Sequence, residues 1–248
     1  MTIKRVYVQA ENGVPTDEAF FKAWDGFRKR RIPCELFEPP QLAAGQVALS
    51  RETLVAGGLR VVEQAMKLIG MKVPEADNLP QCLAQYRGRD VWTSTWGELL
   101  DTYRKSGHPR PLFVKPRRRN KGFPAVALYN ADDFEAAAKL PREMEVLVSE
   151  YVLFESEWRC YVCEGRLLTI CHYQGDAFKF PDPQVIQSAL NDFSPMAPAG
   201  FGIDFGVLTD GRTVLVEVND GYSLGSYNMN SVEYAELLEA RWEQLAKM

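Results

Sequence analysis

The chain has 248 residues, of which 46% are hydrophobic and 25% are charged, and its formal net charge is −4. This length allows one large domain or two small ones around a substantial core. The negative net charge disfavours a general nucleic-acid binder, because non-specific affinity comes from neutralising phosphates. No apolar run approaches the ~20 residues of a membrane span, and the chain begins with a charged strand rather than a signal peptide. We therefore predict a cytoplasmic globular protein.

The first eighty residues alternate between strand and helix. Strands are predicted over residues 4–9, 34–37 and 53–56, with helices over residues 16–29 and 59–69. Thr16 is the predicted N-cap of the first helix, and Gly70 closes the second. This repetition indicates a small parallel α/β domain over residues 1–80. The Gly57-Gly58 pair suits either a phosphate-binding loop or a tight strand-to-helix turn.

Residues 81–248 follow a different pattern, in which hairpins dominate, and we predict a second domain there. A helix is predicted over residues 96–105, with Ser94 or Thr95 as its N-cap. The remaining predicted elements are strands over residues 112–115, 125–129, 146–152, 158–163 and 166–173, helices over 132–139, 183–190 and 231–247, and a hairpin between the last two helices.

That hairpin carries two acids, Asp204 and Glu217, which its turn places side by side. Asp210-Gly211 is a strong two-residue turn signal between two alternating segments. With that turn, Asp204 lies opposite Glu217, and Asn219 lies two residues further along the same face. Like charges opposed across a ladder destabilise a sheet, whereas a cation between them reverses the effect. The oxygen-rich set suits magnesium held jointly with phosphates. The alternative is a solvated outer face on which two acids happen to meet.

The other face of this hairpin is predicted to pack in the core, because it carries only apolar side chains. Its members are Ile203, Phe205, Val207, Val214, Val216 and Val218.

Two further segments have residues suited to a nucleotide. Lys115 ends an apolar strand just before the basic, glycine-containing segment 117–123, so it can meet a polyphosphate. Glu150 and Glu157 bracket an apolar run whose extended backbone can pair with the edge of a purine. The alternatives are a solvated basic loop and, since Arg159 follows Glu157 on the same strand face, a structural cross-strand ion pair.

An ordered set of short motifs along residues 80–248 resembles the ATP-grasp superfamily. The motifs are Val114-Lys115-Pro116, Ser149-Glu150-Tyr151-Val152, Glu157, Asp204 and Glu217-Val218-Asn219. Segments 147–150, 157–159 and 217–225 are most similar to a compact, divergent clade found in bacteria and phages. The resemblance implies an α/β (α+β) ATP-grasp fold, in which two α+β subdomains hold ATP between them, preceded by the small α/β domain.

The resemblance also implies roles for the nucleotide-binding residues. Lys115 would contact the phosphates of ATP. Glu150, with the backbone of Tyr151 and Leu153, would hold adenine. Glu157 would take the ribose hydroxyl groups.

The same resemblance implies a metal centre and a catalytic cation. Asp204, Glu217 and Asn219 would hold one or two magnesium ions that bridge the phosphates, and Arg159 would lie near the transferred phosphate. The loop 117–123 is a candidate lid, and segment 221–226 would flank the γ-phosphate and the acceptor.

This chain departs from the family pattern at two positions. Many ATP-grasp ligases have an arginine two residues before the first metal-binding acid, where this chain has Gly202. Arg159 and Lys179 are the candidates to supply that charge as catalytic residues. A lysine that usually precedes Lys115 is also not evident, and Arg87 or Arg89 is the candidate replacement.

The implied activity is ATP-dependent ligation of a carboxylate to an amine or thiol through an acyl phosphate, with release of ADP and phosphate. Its substrates would be small molecules or peptides. A small-molecule kinase and a nucleotide-binding module without turnover are the alternatives. His172 is predicted, from a Glu164-Gly165 hairpin turn, to lie on the same face as Glu157.

Overall fold

The computed structural model describes residues 2–106, 110–117, 123–136 and 139–248. The strands in these ranges form one three-stranded and two four-stranded sheets. The first sheet is parallel, and the other two are antiparallel. The predicted fold class, a small parallel α/β unit followed by two α+β subdomains, is therefore confirmed. None of the helices in the described ranges has both the length and the apolar character needed to cross a membrane.

The N-terminal unit contains the parallel sheet, in the order β2-β1-β3. Its elements are β1 (Arg5–Gln9), α1 (Glu18–Lys29), β2 (Cys34–Phe37), α2 (Pro39–Ala43), β3 (Thr53–Ala56) and α3 (Leu59–Leu68). Helix α1 begins one residue later than predicted, because Asp17 rather than Thr16 is its N-cap. The Asp17 carboxylate accepts a hydrogen bond from the Ala19 N–H at 2.8 Å.

The second unit follows a 3-10 helix (Gln81–Tyr86) and contains one antiparallel sheet, in the order β4-β7-β5-β6. Its elements are β4 (Val91–Thr95), α4 (Trp96–Ser106), β5 (Leu112–Pro116), β6 (Val126–Leu128), α5 (Ala131–Ala136) and β7 (Glu145–Glu150). Thr95 is the N-cap of α4, since its hydroxyl accepts from the Glu98 N–H at 3.2 Å while Glu98 accepts from the Thr95 N–H at 3.1 Å. Strand β4 was not predicted.

The third unit contains a sheet in the order β11-β10-β8-β9. Its elements are β8 (Phe154–Cys163), β9 (Arg166–Gly175), α6 (Pro183–Phe193), β10 (Gly200–Leu208), β11 (Thr213–Asp220) and α7 (Ser231–Lys247). Every residue of β10 is buried, because the strand lies in the middle of the sheet and is covered on both faces. The acidic hairpin therefore lies inside the molecule rather than on a solvated face.

One hydrophobic core joins the N-terminal sheet to the last helix. Val8 of β1 and Phe27 of α1 belong to the same buried cluster as Leu238 and Trp242 of α7. A second cluster packs α6 against the β10–β11 hairpin, and a third lies within the β4–β7 unit. Because the first cluster spans both ends of the chain, the division at residue 80 stays a prediction.

Gly26 is the point at which α1 approaches α7 most tightly. A Cβ at this position would overlap the Ser231 carbonyl group and lie 2.9 Å from the Ala235 Cβ. Helix propensity alone favours Ala over Gly by about 0.5–1 kcal/mol inside a helix. We expect Gly26→Ala to lower the free energy of unfolding by about 1–3 kcal/mol instead, because overpacking outweighs propensity. Urea unfolding measures this change. Gln64→Ala on the exposed face of α3 is the control, and a stabilised Gly26→Ala variant would contradict the packing.

Candidate active site

The two acids lie in register across the β10–β11 hairpin, as predicted. Asp204 pairs with Glu217, and Gly202 pairs with Asn219. The metal-binding candidates therefore share one face of the hairpin, and that face is enclosed by other parts of the molecule.

The turn of this hairpin is not the predicted two-residue loop. The Leu208 N–H donates to the Arg212 carbonyl oxygen at 2.9 Å, which leaves residues 209–211 as a three-residue loop. Gly211 has a φ of 85°, the left-handed conformation that commonly ends such loops. The turn prediction was wrong, and by itself the longer loop would move the two acids out of register.

A β-bulge in β11 restores the register. On the turn side of the acids Phe205 pairs with Leu215, so Val216 is the extra residue. The bulge also changes which side chains face the core. Leu215 packs there with Phe205, whereas the predicted members Val214 and Val216 do not, and Val216 lines a cavity instead.

The two carboxylates converge on the amide of Asn219. Its Nδ2 lies 3.0 Å from Glu217 Oε1 and 3.5 Å from Asp204 Oδ2. Both acids therefore face a common point, and a cation placed there would contact both.

Asp204 is also bound by Arg159, the residue opposite it on β8. Arg159 Nε and Nη2 each lie 2.7 Å from a carboxylate oxygen of Asp204, in a bidentate pair. The side chains are only 7% and 2% exposed. Burial raises the pKa of the Asp204 carboxyl to about 6, and the hydrogen bonds from Arg159 oppose this rise.

Glu217 is bound by Lys115, which reaches it from β5. Lys115 Nζ donates to Glu217 Oε2 at 3.2 Å. Burial acts to raise the pKa of Glu217, but the charge of Lys115 and the hydrogen bonds from Asn219 and Lys115 outweigh it, so the pKa lies below its ordinary value. Lys115 thus links the second unit to the metal-binding candidates on the third.

A cavity of about 420 Å³ lies where the two antiparallel sheets face each other. Its size and mixed polar and apolar lining are typical of small-molecule sites. The predicted site residues that line it are Lys115, Glu150, Tyr151, Leu153, Glu157 and Glu217. The structure therefore brings together every predicted nucleotide-binding residue with one of the metal-binding candidates.

Glu150 lines the cavity at the point where β7 ends. Its carboxylate accepts from the Asp90 N–H at 3.1 Å and is paired with Arg110. The Tyr151 ring contacts Tyr129 edge to face, with 5.0 Å between centroids. This part of the cavity combines apolar side chains with one carboxylate and extended backbone.

Of the two arginines considered for a missing lysine, Arg89 lines the cavity and Arg87 does not. Arg89 donates to the carbonyl oxygens of Leu215 at 2.7 Å and Val216 at 3.1 Å, at the bulge of β11. Burial lowers the pKa of Arg89 to about 10. Arg87 instead binds the carbonyl oxygen of Leu79 at 2.5 Å. Arg89 therefore covers the edge of β11 and places a cation in the cavity wall.

Lys179 lies apart from this cluster. Its ammonium group pairs with Glu155, and its carbonyl oxygen accepts from the Trp158 indole N–H at 2.9 Å. It is not among the residues that line the cavity, and its catalytic role stays a prediction. Of the candidate lid, residues 118–122 lie outside the described part of the chain.

The sequence did not identify Tyr173 or Tyr227. Strand β9 contains irregularities that the Glu164-Gly165 count could not anticipate, so Glu157 pairs with Gln174 rather than with His172. Tyr173 donates to Glu157 Oε2 at 2.8 Å. The prediction for His172 was wrong, because its ring packs on Trp158 instead. No sequence signal marks these bulges.

The residues present suit magnesium with a nucleotide. Two carboxylates and one amide face a common point, and hard oxygen ligands are those that magnesium prefers. In the described ranges no group of three or more His, Cys, Asp or Glu side chains is arranged to hold a metal alone. A site with two acids suits magnesium, which usually keeps further oxygen ligands from water and substrate phosphates.

Solved structures with a similar fold are all distant in sequence. An N5-carboxyaminoimidazole synthetase from Staphylococcus aureus has a TM-score of 0.58 at 12% identity, over 98% of this chain and 78% of that one. A D-alanine–D-alanine ligase from Bacillus anthracis, solved with ATP, has a TM-score of 0.52 at 16% identity, over 98% and 96%. The ATP-grasp ligase PsnB, solved with a precursor variant, Mg and ADP, has a TM-score of 0.51 at 12% identity, over 98% of both chains.

The chain matches none of the curated proteins with which it was compared. A family profile described as an ATP-grasp domain, the second family of its clade, matches residues 86–237, which is more than half of the chain. This range contains the cavity segments of β5, β7 and β8 and both acids of the hairpin. The protein is therefore a member of the ATP-grasp superfamily.

Proposed function

We propose that this protein is an ATP- and magnesium-dependent ligase that joins a carboxylate to an amine or thiol through an acyl phosphate. The observation that carries the proposal is the convergence of Lys115, Asp204, Glu217 and Asn219 at one end of a cavity lined by Glu150 and Glu157. The related ligases solved with ATP, and with Mg and ADP, support a nucleotide in this fold.

The proposed position of ATP follows the lining of the cavity from end to end. Adenine lies beside Glu150 and the backbone of Tyr151 and Leu153, and the ribose lies beside Glu157. The phosphates then reach Lys115. The apolar and extended segment favours a purine, because its backbone groups can pair with the edge of the base.

The proposed metal ligands are Asp204, Glu217 and Asn219, with one or two ions. When bound, magnesium would neutralise charge that develops on the phosphoryl oxygens. Arg159 and Lys115 place two more cations beside the same acids, 2.7 Å and 3.2 Å from the carboxylate oxygens. Such preorganised charges stabilise a transition state at little cost in reorganisation.

The proposed reaction has two steps. A carboxylate oxygen of the substrate attacks the γ-phosphorus, and the bond from that phosphorus to the bridging oxygen breaks, which releases ADP. An amine nitrogen or a thiol sulfur then attacks the acyl carbon and expels inorganic phosphate, and the nucleophile loses a proton. Burial of the acids indicates a site with little water, which would protect the acyl phosphate from hydrolysis.

A substrate screen that follows both ADP release and product mass tests this function. We expect magnesium-dependent ADP release with a product whose mass equals the two substrates minus water. A phosphate adduct would instead identify a kinase that uses the same nucleotide site. Nucleotide binding without ADP release across a wide panel of carboxylates would identify a binding module.

A further inference from the structure

Gly202 provides space for the side chain of Arg159. A Cβ on Gly202 would lie 3.1 Å from Arg159 Cδ, 3.3 Å from Arg159 Nε and 3.0 Å from Leu224 Cδ1. These distances are closer than nine in ten Cβ contacts in proteins. Arg159 therefore crosses β10 where that strand has no side chain, and from there its guanidinium group reaches Asp204.

Two tyrosines cover the other side of this guanidinium group. Arg159 Cζ lies 4.9 Å from the centroid of the Tyr227 ring and 5.9 Å from that of Tyr173. The two rings are stacked, with 4.8 Å between centroids and 14° between planes. A cation over an aromatic face is attracted by its quadrupole, more strongly when water is excluded. The side chain of Arg159 is only 7% exposed.

Tyr227 belongs to the segment that follows β11, and the N-terminal unit holds this segment in place. Lys22 Nζ of α1 donates to the Met229 carbonyl oxygen at 2.6 Å, and Ser223 Oγ donates to the Gly57 carbonyl oxygen at 3.0 Å. The position of the Tyr227 ring is thus tied to elements outside the nucleotide cavity.

The same ring pair reaches the cavity through Tyr173. Its hydroxyl group donates to Glu157 Oε2 at 2.8 Å, and Glu157 lines the cavity. One aromatic stack therefore contacts both the acid beside the proposed ribose position and the cation beside the metal-binding acids.

We propose that Gly202 and Tyr227 are positioning residues that hold Arg159 at the phosphoryl-transfer centre. The bare backbone at 202 supports the side chain from one side, and the Tyr227 ring covers it from the other. This inference rests on the proposed function, since it assigns Arg159 to the transferred phosphate. It also gives the N-terminal unit a role in catalysis, because that unit holds the segment bearing Tyr227.

The position of Arg159 can be measured without any substrate, from the Nε–H signals of the arginines in a ¹H–¹⁵N spectrum. Arg159→Lys identifies the Arg159 signal by its loss. We expect a slowly exchanging signal displaced by the ring current of Tyr227, because the group is buried against that face. Tyr227→Leu and Gly202→Ala should move this signal, whereas Tyr227→Phe should leave it displaced. An Arg159 signal unchanged by both Tyr227→Leu and Gly202→Ala would overturn the proposal.

Turnover supplies the second readout, once a carboxylate that supports ADP release is found. In Tyr227→Leu we expect kcat to fall by at least about tenfold with KM for ATP changed by less than about threefold, since only a transition-state contact is lost. Tyr227→Phe should recover most of that loss. A displaced signal with undiminished kcat would contradict a catalytic position for Arg159. A wild-type protein that never releases ADP would refute the proposed ligase, while the spectra would still decide whether Gly202 and Tyr227 position Arg159.

Gly202→Ala tests the other side of Arg159, and the two variants protect the test against a folding defect. Gly202 is buried in the central strand, whereas Tyr227 is partly exposed in a loop. If Gly202→Ala does not fold, Tyr227→Leu carries the test alone, with the remaining arginine signals as a check on the fold.

Discussion

Replacing Glu217 by alanine is expected to abolish magnesium-dependent ATP turnover and leave the fold intact. Glu217 is the acid that faces both Asn219 and Lys115, so its loss removes a proposed metal ligand and leaves Lys115 without that partner. Metal ions contribute several kcal/mol of charge stabilisation to phosphoryl transfer, and about 1.4 kcal/mol corresponds to a tenfold change in rate. We therefore expect a loss of at least about 1,000-fold, measured as ADP release at saturating ATP.

The matched control for this variant is Asp210→Ala. Asp210 is an acid of the same hairpin, but it lies in the exposed turn and binds Arg212. Its removal should leave turnover within about twofold of the wild type, because exposed ion pairs contribute little. Undiminished turnover in Glu217→Ala would rule out the metal assignment. A circular dichroism spectrum and an unfolding midpoint for each variant would separate lost chemistry from lost structure.

The second large effect is expected on stability, from the buried pair of Arg159 and Asp204. Removing one partner of a buried ion pair costs about 3–5 kcal/mol, because a buried charge is left without compensation. We expect this loss in the free energy of unfolding for Arg159→Met, measured in urea at pH 7. The bidentate geometry and low exposure of both side chains are the reasons.

A second substitution tests whether the uncompensated charge is the cause. Replacing both partners of a buried pair by apolar residues of similar volume is often neutral or stabilising. The double variant Arg159→Met/Asp204→Leu should therefore recover most of the loss. Arg212→Met is the control, since its exposed pair with Asp210 should change stability by less than about 1 kcal/mol. An Arg159→Met variant as stable as this control would contradict the buried pair.

The sequence predicted the pairing of Asp204 with Glu217, although it did not predict the turn that connects them. The Asp210-Gly211 signal indicates a two-residue loop, whereas the loop has three residues and β11 has a bulge at Val216. The two deviations compensate, so the pairing is that of the regular hairpin. Alternation could not reveal the bulge, because Val214, Leu215 and Val216 are all apolar and each would fit the core face.

The nucleotide cavity was easier to predict than its tyrosines. Lys115, Glu150 and Glu157 lie at strand ends or beside apolar runs, and these local patterns can be read in the sequence. Tyr173 and Tyr227 reach the site through a bulge in β9 and through a loop held by the N-terminal unit. Both depend on contacts between residues far apart in the chain, which a single sequence does not display.

Gly202 illustrates the same limit in the opposite direction. In the sequence it marks a missing arginine, and this suggested a weakened site. In the structure the space above Gly202 contains the side chain of Arg159, which arrives from the neighbouring strand β8. The charge is therefore present, but the residue that supplies it is 43 positions away along the printed sequence, since 202 minus 159 is 43.

Trapping with hydroxylamine tests the central claim most directly, because an acyl phosphate reacts with this amine to give a stable hydroxamate. The protein would be incubated with ATP, magnesium, hydroxylamine and a pool of small-molecule and peptide carboxylates. We predict hydroxamates in amounts equal to the ADP released, dependent on magnesium and absent with Glu217→Ala. Release of ADP with phosphorylated products and no hydroxamate, or hydroxamate formed with AMP rather than ADP, would contradict a ligase that acts through an acyl phosphate.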